Sequence, residues 1–354
     1  MTMPRLSVIV PVYNGAHFLT RCLQSLATSQ LTSYECIVVN DGSTDDTVRV
    51  AEQYGVTVVS LEQRGGPARA RNRGAEAARG DIVMFLDADV CVHPDTLQRV
   101  MAHFDSHPDV AAVIGSYDDQ PADPGFISQY KNLFHHYVHQ TSRAEAWTFW
   151  AGCGAIRRPA FAAVHGFDES YARPCVEDIE LGFRLRAAGY RIALNPAIQV
   201  THLKRWTFGS LLRTDVLDRG VPWFLLMLRT RTMPPDLNLT IAHRLSVVLV
   251  FALLLLPAGM VTAHFTAWRA SGGTLAPVLT IVVMLGIAGA LLVLNSDLYR
   301  FFARQRGLRF AAGVVPLHWL YYAYCGLSVL LGASVHLWEK RPSRRHAWRL
   351  AARG

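Results

Sequence analysis

The chain has 354 residues, 51% of them hydrophobic, and a formal net charge of +8 at pH 7. That length exceeds one small domain, and nearly every long uncharged run lies beyond residue 244, so a soluble N-terminal part and a membrane-embedded C-terminal part are expected. The excess basic residues flank those runs, at Arg229, Arg231 and Arg244, at Arg300 to Arg309, and from Lys340 to Arg353, which argues for lipid headgroups or plain anchoring and against nucleic acid.

Short β-branched runs predict strands at Leu6–Val12, Glu35–Asn40, Val56–Leu61, Ile82–Leu86 and Ala111–Ile114. Helical spacing fills the gaps at Phe18–Gln30, Asp45–Tyr54, Pro67–Ala78 and Pro94–Phe104, an alternation that predicts βαβ units and a mostly parallel sheet. Residues 115–205 are less regular, with one clear helix at about Glu177–Ala188 ended by Gly189. Residues 206–240 mix Trp, Phe and Leu with arginines, which suits either a headgroup layer or a helix packed on the domain.

Three uncharged stretches follow, Leu245–Phe265, Leu275–Leu294 and Val314–Leu337, each near the roughly 20 residues that cross hydrocarbon. Three crossings would leave the basic tail outside, against the positive-inside tendency, so the third stretch either crosses or is re-entrant or interfacial. The six cysteines form no CxxC pair, which fits a reducing compartment. No apolar leader precedes Leu6, so the N-terminal part is expected on the cytoplasmic face of an inner membrane crossed more than once. The expected division is 1–205, 206–240 and 241–354.

Asp87-Ala88-Asp89 leaves the apolar strand IVMFL, where a parallel strand ends at the ligand-binding face of an open sheet. Paired carboxylates there suit a divalent cation, Mg²⁺ or Mn²⁺, that neutralises a diphosphate leaving group, although an acidic turn needs no ligand. The glycines of GGPARARNRG permit close backbone approach, and Pro67 starts a helix whose N-terminus favours an anion.

Val8-Ile9-Val10-Pro11-Val12-Tyr13-Asn14, Asn40-Asp41-Gly42-Ser43-Thr44-Asp45-Asp46-Thr47, Gly65 to Gly74 and Phe85-Leu86-Asp87-Ala88-Asp89 come in this order. With Gly152 to Arg158, Gly166-Phe167-Asp168-Glu169 and Glu177-Asp178-Ile179-Glu180-Leu181, they resemble the family 2 glycosyltransferases over roughly residues 5–206. The resemblance implies an α/β GT-A domain with a Rossmann-like mixed sheet, here followed by an all-α transmembrane region.

It also implies roles. Pro11, Tyr13 and Asn14 would border the base of a UDP- or GDP-sugar, and Asp41 would bond the base or ribose unless it is only a turn residue. Arg71 would lie near the diphosphate, and Asp89, with Asp87, would hold the metal. Asp178, beside Glu177, would be the general base of an inverting transfer, unless both acids merely complement the helix N-terminus. His202, Arg205 and Trp206 have the spacing of the processive Q-x-x-R-W element with His in first place. His202 is then a metal or diphosphate ligand or a structural His, Arg205 a donor contact, and Trp206 a platform for a sugar ring. A lipid or lipid-linked acceptor is expected, with a polyprenyl phosphate acceptor or an inactive nucleotide-sugar-binding scaffold as alternatives.

Overall fold

The structure is a computed structural model that describes residues 4–234, 240–271 and 275–339. Nine strands form one sheet among the described residues: β1 (Leu6–Val12), β2 (Tyr34–Asn40), β3 (Thr57–Ser60), β4 (Ile82–Leu86), β5 (Val90–Val92), β6 (Val110–Tyr117), β7 (Glu145–Ala146), β8 (Cys153–Arg157) and β9 (Arg191–His202). Their order is β3-β2-β1-β4-β8-β6-β9-β5, with β7 also on β9. The β1, β2, β3 and β4 pairings are parallel as expected, but β8 enters antiparallel between β4 and β6, so the whole is mixed rather than mostly parallel.

Strand side chains alternate between faces, and both faces are covered. Val8, Val10, Met84 and Leu86 meet α1 (Ala16–Ala27), whose Leu19, Leu23 and Leu26 are buried, with α2 (Thr47–Gln53) alongside. Ile9, Val39, Val83 and Phe85 face the other way, toward Ala68 and Ala70 of α3 (Pro67–Ala77). α4 (Thr96–Ser106) joins the first layer, and α5 (Phe126–Thr141) packs beside β6. α6 (Arg158–Ala163) and α7 (Glu177–Ala187) join the second through Phe161, Leu181 and Leu185. α7 packs so closely that a Cβ at Gly182 would stand 2.3 Å from the Phe149 backbone nitrogen.

Beyond β9 run α8 (Phe208–Arg213), a π-helical turn (Thr214–Gly220) and α9 (Val221–Thr230), and then α10 (Ile241–Ser271), α11 (Leu275–Leu294), α12 (Ser296–Arg306) and α13 (Leu308–Glu339). The connector is packed: Leu211, Leu225 and Leu226 are buried. Tyr130, Leu133 and Phe134 of α5 share a core with Leu291, Phe302, Val314 and Tyr321, joining the C-terminal helices to the sheet domain.

The third apolar stretch lies within one continuous helix, Leu308–Glu339, which among the described residues is the one long and apolar enough to cross a membrane. Val278–Leu294 and Ser296–Arg306 pass the same test only as a pair bent by 63°, and Ile241–Pro257 is a shorter apolar helix. The basic tail from Lys340 lies outside the described residues.

Candidate functional site

A cavity of about 660 Å³ opens at the carboxyl ends of β1, β2 and β4. Parallel pairing brings those ends together, so Pro11 to Asn14, Asp41 and Asp87 to Asp89 arrive on one rim. Asn14, in the left-handed region at φ 48°, accepts the Thr44 N–H at 2.8 Å, tying the first loop to the second. The Tyr13 ring is 42% exposed, with the Arg64 guanidinium 4.2 Å over it.

Asp41 is buried, and its two carboxylate oxygens accept the N–H groups of Gly65 and Gly66 at 2.7 and 2.9 Å. It therefore shapes the glycine loop while still lining the cavity. Gly66 has φ 88°, and a Cβ there would stand 2.4 Å from the Ala172 carbonyl oxygen, so only glycine fits.

Arg71, 5% exposed on α3, gives Nη2 to Asp87 Oδ1 at 2.9 Å and Nη1 to Glu177 Oε1 at 2.8 Å. One planar fork thus joins the exit of β4 to the start of α7. Glu177 Oε2 also accepts the Cys175 N–H at 2.8 Å, so both of its oxygens are engaged. Asp178 accepts from the N–H groups of Ile179 at 2.8 Å and Ala151 at 3.2 Å. Burial and the Glu177 charge push its carboxyl up to about 6, against the opposing charges of Arg71 and Arg219.

Asp89 and His202 meet because Val90 and His202 are paired residues of β5 and β9. The Nε2 of His202 lies 3.4 Å from Asp89 Oδ2, and its Nδ1 lies 2.7 Å from Asn132 Oδ1. Burial alone would raise the Asp89 carboxyl, but His202 and then Lys204 hold it below its ordinary value. No group of three acidic, His or Cys residues suited to a cation occurs among the described residues. A carboxylate and an imidazole would nonetheless suit Mn²⁺, and the carboxylate alone Mg²⁺, with the diphosphate and water supplying the remaining oxygens.

The remaining expected residues divide. Trp206 lines the cavity but is buried, with the Lys204 and Lys131 ammonium groups 4.2 and 5.8 Å from its ring centre. Arg205 is exposed and does not line the cavity, whereas its neighbour Lys204 does. Arg64, Arg173, Arg213 and Arg219 line it without any motif that announces them, Arg213 and Arg219 arriving from α8 and the π-helical turn. π-helical turns inside helical segments are frequent at functional sites, but nothing in TDVLDRG signals one.

Residues 7–164 match the family model described as Glycosyl transferase family 2, and residues 132–206 match that described as the N-terminal domain of galactosyltransferase. The matches support a family 2 glycosyltransferase. A glycosyltransferase of Escherichia coli, YibD, is 40% identical over 101 residues, covering 27% of this chain and 29% of its own length. The validoxylamine A glucosyltransferase of Streptomyces hygroscopicus subsp. jinggangensis is 32% identical over 221 residues, 53% of this chain and 52% of that protein. The chain thus spans about half, or less, of the length of these curated relatives.

Among solved structures, the mannosyltransferase PcManGT of Pyrobaculum calidifontis in complex with GDP-Man and Mn²⁺ superposes over 93% of this chain and 88% of its own, with 22% identity and a TM-score of 0.61. That likeness shows the fold, and the mixed α/β sheet is consistent with the GT-A fold.

Proposed function

We propose that this glycosyltransferase takes a sugar from a UDP- or GDP-sugar and passes it, with inversion, to a lipid or lipid-linked acceptor at a membrane surface. The observation that carries the reading is the convergence of Asp41, Arg71, Asp87, Asp89, Asp178 and His202 on one cavity at the carboxyl end of the sheet. Solved structures of the same fold hold GDP-Man with Mn²⁺, or UDP-GlcNAc in TarS of S. aureus, which supports a nucleotide-sugar donor.

Asp89 and His202, with Asp87 nearby, would hold the divalent cation, which supplies positive charge to the diphosphate as it leaves. Arg71 fixes Asp87 and Glu177 so that Asp178 stands beside them with a raised carboxyl. As a general base, Asp178 takes the acceptor hydroxyl's proton while that oxygen bonds to the anomeric carbon. The bond from that carbon to the diphosphate breaks, and its electron pair leaves with the diphosphate.

The membrane part of the reading rests on α13 and on the large apolar side chains that α10 and α11 expose, among them Val248, Leu254, Leu255, Leu279, Leu285 and Val293. An anchor that crosses more than once, with a cytoplasmic catalytic domain at an inner membrane, completes the proposal. A second reading, transfer to a polyprenyl phosphate, is favoured by Arg213 and Arg219 on the cavity wall, which suit an anionic acceptor.

Incubation of the detergent-solubilised full chain with a panel of nucleotide sugars and a membrane lipid extract, with mass spectrometry of the products, tests the proposal. A glycosylated lipid that depends on added donor is expected. Donor left intact with every extract would point instead to a nucleotide-sugar-binding scaffold.

A further inference from the structure

α5 runs behind the cavity, and Asn132 on it is 1% exposed. Its Oδ1 stands 2.7 Å from His202 Nδ1, a full-strength hydrogen-bond distance. The imidazole is held from a second direction by Tyr117, whose ring stacks on it at 4.5 Å between centroids and 9° between planes. Those two contacts leave the ring no rotation that keeps both. Its Nε2 is then the edge turned to Asp89, 3.4 Å away.

We infer that Asn132 is a positioning residue that keeps the His202 proton on Nδ1 and so presents the Nε2 lone pair, beside Asp89, to the divalent cation. This rests on the proposed metal-dependent reading of the same site. An amide oxygen only accepts, so an oxygen at 2.7 Å from Nδ1 requires a hydrogen on that nitrogen. The neutral ring then has one lone pair, on Nε2. The opposite amide orientation would place an N–H₂ against Nδ1, move the ring hydrogen to Nε2 and aim it at Asp89, a tautomer that cannot ligate a cation through that atom.

Nothing else in the surroundings uses Asn132: its Nδ2 is buried and makes no hydrogen bond among the described residues. An amide buried with one end unsatisfied is costly, and leucine would fill the same space without that cost. The choice of asparagine therefore follows from its oxygen. Its neighbours on α5 brace the same strand exit, since Ser128 Oγ accepts the Trp206 N–H at 2.8 Å. Hydrogen-bond partners of a metal-ligating His orient the ring and raise its basicity, and their removal weakens metal binding by about 10–100-fold.

The test measures Mn²⁺ affinity directly, from the free Mn²⁺ signal in electron paramagnetic resonance, with the full-length protein and UDP or GDP present. Asn132→Leu, which keeps the branching and heavy-atom count and removes the oxygen, should raise the Mn²⁺ Kd by about 10–100-fold. Asn132→Asp, which can only accept, should keep or tighten it. A single cooperative thermal transition in both variants, together with unchanged affinity for UDP or GDP without metal, shows that the loss belongs to the metal.

Equal Mn²⁺ affinity in wild type and a folded Asn132→Leu overturns the inference while leaving the metal reading intact. Loss of affinity in a folded Asn132→Asp also overturns it, because it would mean that the amide donates to Nδ1. Should Asn132→Leu not fold, Asn132→Asp decides alone. Absence of Mn²⁺ binding in the wild type, with either nucleotide, overturns the metal reading and this inference together.

Discussion

The carboxylate of Asp178 accepts the backbone N–H of Ala151 at 3.2 Å, so the first turn of α7 is tied to the segment that leads into β8. That bond fixes an acid whose carboxyl is pushed up to about 6, chiefly by burial and then by Glu177. A base works only when ionised, so kcat/KM should fall as pH drops below about 6 and level off above it. The Arg219 charge favours the ionised form, and Arg219→Gln should move this limb to higher pH. Asp178→Asn should lower kcat by about 10²–10⁴-fold. A flat pH profile between 5 and 7, or a small effect of Asp178→Asn beside a large one of Arg219→Gln, would favour the anionic acceptor, which brings its own charge and needs no base.

Arg71 carries a separate prediction. It is almost fully buried between Asp87 and Glu177, the latter also buried. Arg71→Ala strands the Glu177 charge in the interior, a loss that typically costs about 3–5 kcal/mol, and should lower the melting temperature markedly. Arg71→Lys keeps the charge but lacks the planar fork that reaches both carboxylates, so the protein should fold while losing donor affinity. Calorimetry on both variants, with titration of the nucleotide sugar, separates the two effects. A lysine variant that binds donor normally would remove the fork from the account.

The parallel half of the sheet is legible because Val8–Val10 of β1, Ile37–Val39 of β2 and Ile82–Leu86 of β4 are uninterrupted apolar runs, the mark of strands covered on both faces. β8 is not, since CGAIR has too few β-branched residues to read as a strand. β9 is masked as well, because Asn195-Pro196 interrupts its apolar run. α5 hides for another reason: it buries Gln129, Lys131, Asn132, His136 and His139 as well as Tyr130, Leu133 and Phe134, so polar residues fall on buried positions and mask the helical period. The site divides the same way. Asp87, Asp89, Arg71 and Asp178 stand in local patterns, whereas Lys204, Arg219 and Asn132 reach the cavity or His202 only through packing.

Cation dependence is testable without knowing the acceptor. Asp89→Asn keeps the shape and removes the charge, and it should abolish transfer in the presence of Mn²⁺ or Mg²⁺, because leaving-group stabilisation worth several kcal/mol is lost. Chelation of wild-type protein should do the same, with activity restored by either ion. Asp89 is only partly exposed and pairs with His202, so its substitution should lower the melting temperature modestly while leaving the domain folded. Transfer that survives both the chelator and the substitution would rule out metal dependence.

The last prediction concerns Lys131 and Asp215, which join α5 to the π-helical turn at 2.6 and 2.8 Å with side chains only 5% and 6% exposed. Tyr324 of α13 donates to the same carboxylate at 2.7 Å, so three elements meet on one charge. Burial holds the Lys131 ammonium below its ordinary pKa despite the Asp215 charge, which shows how dry the site is. Removing one partner leaves the other charge buried and alone, so Asp215→Asn should cost about 3–5 kcal/mol. Tyr324→Phe removes a single hydrogen bond and should cost about 1 kcal/mol. The double variant Lys131→Met/Asp215→Leu buries apolar groups in place of the pair and should recover most of the loss. The π-helical turn also carries Thr214, Asp218 and Arg219 into the cavity, so the recovered double variant should still show a raised KM for acceptor if the pair sets the turn's position. Denaturant unfolding of the single and double variants gives the coupling between the two residues. Equal losses in the single and double variants would mean that packing, and not an unpaired charge, accounts for the cost.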